Sequence, residues 1–128
     1  MATLITDGVK ITVNTSFQPE YSYPEQNHFV FTYEVTIENM SEYTVQLLRR
    51  HWVIFDTNGD IREVEGDGVV GQQPILEPGK SHKYVSGCNL KSDMGKMIGE
   101  YIMQRQFDGS KFTVKIPEFN LIPEYRSN

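Results

Sequence analysis

Gly66-x-Gly68-x-x-Gly71 is the arrangement in this 128-residue chain whose spacing points most directly to a chemistry. It matches the dinucleotide fingerprint, in which glycine amides approach a pyrophosphate at the first turn of a helix. Pro74 and Pro78 follow closely, and proline in a helix interior removes a donor and clashes with the preceding turn. The glycines therefore read first as positive-φ and close-packing positions in a long loop between strands. A helix-free use remains, because successive backbone N–H groups can cup an anion. On that use Gly66, Gly68 and Gly71 are the candidate ligand-binding residues and a small polyphosphate is the ligand.

The neighbouring charges oppose this use. Asp56, Asp60, Glu63, Glu65 and Asp67 surround the loop with only Arg62 among them. A polyphosphate would need bridging metal ions, or Arg49, Arg50, Lys80 or Lys83 folded over it. Asp56, Asp60 and Asp67 are in turn candidates to attract a divalent cation weakly, although a solvated charged hairpin is the plainer account. Asp56, Asn58 and Asp60 partly imitate a calcium loop, but Ile61 stands at the required glycine, Asp67 replaces the closing Glu, and strands replace the flanking helices. His28, His51, His82 and Cys88 are too dispersed for a zinc spacing. Cys88 sits in no nucleophile motif. No catalytic residue, cofactor or dedicated metal-ligand set is assigned, and a non-enzyme is expected.

The elements that must carry these residues read as strands. Phe29, Phe31, Tyr33, Val35 and Ile37 alternate with Val30, Thr32, Glu34, Thr36 and Glu38, the period of a half-buried strand. Val9 to Val13, Met97 to Met103 and Phe112 to Ile116 alternate likewise, and Lys80 to Ser86 forms a further strand. Gly87 to Asp93 reads as a turn region. Pro117 ends regular pairing, and residues 122–128 read as a loose tail. Thr44 to Asp56 is apolar at both parities, with Leu48, Trp52 and Ile54 on one side and Val45, Leu47, Val53 and Phe55 on the other. Asn58-Gly59 predicts a two-residue type I′ hairpin turn, as Asp108-Gly109 predicts a second hairpin. The first turn sets Val53 opposite Val64 with Phe55 on the same side. If Trp52 and Ile54 face the core, Val53, Phe55 and Val64 form an outward apolar surface for a protein partner. About seven strands at the turn spacing of a sandwich predict one all-β domain over 1–128, an antiparallel fibronectin type III-like or immunoglobulin-like β-sandwich with Trp52 in its core.

Composition narrows the class of partner. Twelve basic against seventeen acidic residues give a net charge of −5, which argues against a general nucleic-acid or anionic-membrane binder. The single cysteine cannot form an internal disulfide, and the start Met1 to Asp7 lacks a signal peptide's basic and apolar regions, so a cytoplasmic location is expected. The run Trp52 to Phe55 is far short of the ~20 residues of a membrane span.

The run Gly66 to Gly79 closely resembles the signature of the ApaG family. Gln46 to Trp52, Tyr84 to Cys88 and Met97 to Tyr101 resemble it too, in the family's order. The resemblance implies a fibronectin III-like sandwich in a bacterial cytoplasmic protein associated with cobalt resistance and magnesium efflux. Related domains in eukaryotic F-box proteins imply an interaction module. It carries over no catalytic residues; the family's proposed pyrophosphate or nucleotide binding transfers only to Gly66, Gly68 and Gly71.

Overall fold

Alternation decides most of the architecture. The computed structural model describes residues 1–126. Along Phe29–Asn39 every odd-numbered residue is buried and every even one half-buried, because side chains of a strand point to opposite faces in turn. Nine strands occur among the described residues: β1 (Ala2–Thr6), β2 (Val9–Phe17), β3 (Phe29–Asn39), β4 (Val45–Asp56), β5 (Ile61–Asp67), β6 (Ile75–Leu76), β7 (Ser81–Leu90), β8 (Gly95–Arg105) and β9 (Lys111–Leu121). One sheet has the order β1-β2-β3-β7, and the other β5-β4-β8-β9 with β6 paired to β4. All pairings are antiparallel. The expected sandwich is therefore present, and it is consistent with a fibronectin type III-like fold. Its two additional strands are β1, which buries little, and the two-residue β6. No helix among the described residues is long and apolar enough to cross a membrane.

Trp52 is almost wholly buried between the sheets. Tyr33, Phe119 and Tyr101 surround it at centroid distances of 5.3, 5.8 and 6.5 Å, and all three sit edge-on or tilted, the arrangement ring quadrupoles favour. Gly99 lies flush beneath it: a Cβ there would come within 2.7 Å of the Trp52 ring.

The two-sided reading of β4 is corrected by a bulge. Against β8, Leu47 pairs with Met103 and Arg49 with Ile102, so Leu48 is an extra residue. The bulge reverses the alternation midway. Val45 and Leu47 before it and Trp52 and Ile54 after it all face the core.

Three more expectations change. β7 does not turn at Gly87 but continues to Leu90, because pairing of Cys88 with Phe31 and Leu90 with Phe29 buries both residues. Pro117 does not end β9; the register slips there and resumes at Phe119 opposite Met97, since proline is tolerated at a bulge. The segment after Leu121 is docked as far as it is described. Pro123 is buried, the Arg126 Nε–H donates to Asp93 at 2.7 Å, and Tyr125 packs edge-on against Phe17. The last two positions of the expected tail, 127–128, lie outside the described residues.

Candidate functional site

The glycine-rich stretch is a loop pinned to the β4 bulge. The Leu48 carbonyl accepts the Gly68 amide at 2.8 Å and the Gln73 side-chain amide at 2.9 Å, while the Pro74 carbonyl accepts the Leu47 amide. Val69 and Gln72 exchange both backbone hydrogen bonds around Val70-Gly71, whose φ values are +46° and +76°. These are the signs of a type I′ turn. Gly68 is demanded by space and conformation together. A Cβ there would lie 2.1 Å from the Gln72 carbonyl oxygen, and its φ is +63°. Of the three candidate glycines, Gly68 has its amide occupied by the strand beside it and Gly71 stands at the turn. Gly66 lies against the Arg50 guanidinium, where a Cβ would come within 2.9 Å of both terminal nitrogens.

The β4–β5 hairpin differs from its sequence reading by one register step. The Gly59 amide bonds the Asp56 carbonyl, the Asp56 amide bonds the Asp60 carbonyl, and only Gly59 of the pair has positive φ. The turn is thus a three-residue loop with glycine at its bulge position. Val53 consequently pairs with Glu63, and Val64 pairs with Trp52. Paired residues share a face, so Val64 points to the inner side and the proposed trio Val53, Phe55 and Val64 does not share one surface. On the outer face Ile61 stands opposite Phe55 and Ile98 opposite Val53. Two shallow concavities flank them, one of about 310 Å³ bounded by Phe55, Met94 and Ile122, and one of about 390 Å³ bounded by Val53 and Ile98. Ile98 was detectable from its alternation with Met97; the shift of Val64 was not, because one residue of loop length decides it.

The expected acidic trio does not assemble. Asp56 accepts the Lys91 amide at 2.6 Å and the Ser92 hydroxyl, Asp60 pairs with Lys91 at 3.6 Å, and Asp67 pairs with Arg49 at 2.6 Å. What converges instead is His51, with Nε2 3.2 Å from Glu63 and 3.5 Å from Glu65, and Nδ1 4.0 Å from Glu100. Among the described residues His51, Glu63 and Glu65, without Glu100, are the one group of three or more side chains whose donor atoms converge as metal ligands would. Three adjacent strands position it: His51 on β4, its pair partner Glu65 and Glu63 on β5, and Glu100 on β8.

The largely apolar interior holds a hydrogen-bonded pair of tyrosines. The Tyr84 and Tyr101 hydroxyls hydrogen-bond to each other across the two sheets. Burial pushes both phenols above the ordinary tyrosine range, an effect that the nearby Arg50 charge only partly offsets. Burial also raises the Cys88 thiol, against the lowering influence of Arg62, so the thiolate is disfavoured.

A family model for the ApaG domain matches residues 19–105. The Protein ApaG of Brucella canis is 46% identical over 127 residues, covering 98% of this chain and 97% of its own. The chain belongs to the ApaG family. Protein ApaG of Anaeromyxobacter dehalogenans is 48% identical over 122 residues, 95% of each chain. Among solved structures, the ApaA protein of Bordetella pertussis superposes with a TM-score of 0.88 at 40% identity, covering 91% of this chain and 94% of its own. The C-terminal domain of Wzt, at 11% identity and a TM-score of 0.54 over 94% of this chain and 76% of its own, shares the fold alone. The ApaG match runs from the turn after β2 to the end of β8, so it contains the bulge, the glycine loop and the hairpin and leaves β1, β2 and β9 outside.

Proposed function

We propose that this ApaG-family chain is a non-enzymatic binding module that docks a protein partner on the outer face of the β5-β4-β8-β9 sheet. Through that partner it influences divalent-cation handling, as the family resemblance implies. The supporting observation is the run of apolar side chains on that face, Val53, Phe55, Ile61, Ile98 and Ile122, each exposed or half-buried. They lie beside two concavities and within a mixed-charge rim of Lys96, Glu100, Lys115 and Glu118, the apolar-centre and polar-rim pattern of an interface. Lys96 lies 5.0 Å from the Phe55 ring centroid and shields it from water without burying it. The test is a cross-linking capture from native cells with the parent chain and with Val53→Glu and Ile98→Glu. Specific loss of one captured protein, with thermal stability of the variants unchanged, is the expected result. Capture of the same set by every variant would remove the reading.

A second reading rests on His51, Glu63 and Glu65: weak binding of a divalent cation. A histidine and two carboxylates suit a borderline ion. Titration with Co²⁺ should then shift the amide signals of Glu63 and Glu65 in the parent and not in His51→Ala. Unmoved signals at millimolar ion would reject it.

A further inference from the structure

One side of the sandwich is closed where β1 and β2 lie against β9; there the Lys115 amide reaches the Thr6 hydroxyl at 3.4 Å. On the other side β5 and β7 are both outermost strands. The gap between them holds a cleft of about 200 Å³ whose polar lining includes Tyr33, Arg50, Arg62 and Ser86, with Trp52 and Val64 among its apolar residues. No Asp or Glu lines it, and neither arginine makes a salt bridge among the described residues. Arg62 is exposed and has Asp56 and Asp60 in the adjoining recess, whereas Arg50 is half-buried with no acidic side chain lining its cleft, and a half-buried charge left unpaired is costly.

Both arginines are held. Arg50 donates from Nη1 to the carbonyls of Asp67 and Gly68, at 2.9 and 3.0 Å, and its plane rests against Gly66. Arg62 donates to the Asn89 carbonyl beside the Cys88 sulfur. Groups fixed in advance lose less entropy when a ligand arrives.

We infer that this open-edge cleft binds a carboxylate carried on a short apolar body. The planar guanidinium fork matches a carboxylate, and the Trp52 and Val64 side chains suit hydrocarbon. A volume of about 200 Å³ lies below the roughly 300–1,000 Å³ of cofactor pockets. It therefore admits a small organic acid or one acidic side chain and not a nucleotide. Asp56 and Asp60 line the adjoining recess that shares Arg62 and Asn89, so a monoanion is repelled less than a phosphate dianion. This site is separate from the outer-face surface and does not depend on that reading.

The test titrates the ¹⁵N-labelled full chain at constant ionic strength with sodium butyrate, with N-acetylglutamic acid α-amide, and with inorganic phosphate. The signals followed are the amides of Ser86, Gly87 and Cys88 and the Arg50 Nε–H. Saturable shifts with butyrate are expected if the ligand is a free acid. Saturation by the glutamyl probe alone supports the same site with the carboxylate arriving on a polypeptide. Arg62→Gln, which leaves the Arg50 contacts to the loop in place, should weaken either about tenfold or more; Arg50→Lys should do the same if it folds. Absence of saturation, tighter binding of phosphate than of both carboxylates, or unchanged binding in Arg62→Gln would overturn the inference.

Discussion

Tyr84 and Tyr101 satisfy each other's hydroxyls in a region where water cannot. Tyr84→Phe should therefore cost about 1–3 kcal/mol by leaving the Tyr101 hydroxyl buried and unpaired, and adding Tyr101→Phe should recover part of that loss. Urea denaturation of the two single variants and the double variant measures the coupling. The same pair predicts a response to alkali. Unfolded tyrosines release protons near pH ~10, whereas burial keeps these two protonated to higher pH. The native state then binds more protons than the unfolded one, so stability holds below about pH 10 and falls above it. Urea midpoints between pH 8 and 11 should decline for the parent and stay flatter for the double phenylalanine variant. At this scale the sequence was informative about residue type and silent about pairing. Trp52 was legible as core, but Arg50 was not legible as an inward-facing charge, because the bulge that turns it inward leaves no compositional trace.

The loop between β5 and β6 ranks its glycines by what surrounds each one. Gly68→Ala meets a backbone carbonyl and a left-handed φ, and should cost about 3 kcal/mol or more. Gly71→Ala meets open space at φ +76° and should cost about 1–2 kcal/mol. Val70, exposed and β-branched at φ +46°, carries strain that Val70→Gly should relieve by about 1 kcal/mol. Urea midpoints at unchanged slope would check the order. The fingerprint spacing of these glycines is thus accounted for by a turn, a close approach and a guanidinium. The elements with strict alternation, β3 and β8, were legible throughout. The hairpin was legible as a hairpin, but its register depended on whether Asn58 took positive φ. The I′ geometry expected there occurs instead at Val70-Gly71, where no sequence rule favours valine.

Across the molecule, stability is unevenly distributed. Every residue of β5 except Gly66 is exposed, whereas β3 buries alternate residues along its whole length. Hydrogen exchange of β5 amides should accordingly proceed through local opening at lower free energy than that of β3 amides. Equal protection of both strands would contradict this. The sandwich itself was legible from strand count and turn spacing, since a half-apolar sheet needs a second layer. The family signature fell within the parts of the chain that set strand order. The position of the extra residue was beyond both kinds of reading, yet it acts on the chain as a reading frame acts on a message. Val45 and Leu47 are in frame with the core up to Leu48, and Arg50, Trp52 and Ile54 are in frame after it. Deleting Leu48 would close the ladder without moving that frame, since Leu47 already stands opposite Met103 and Arg49 opposite Ile102. What would go is the carbonyl that holds the Gly68 amide and the Gln73 side chain, so the glycine loop, and not the core, would lose its anchor.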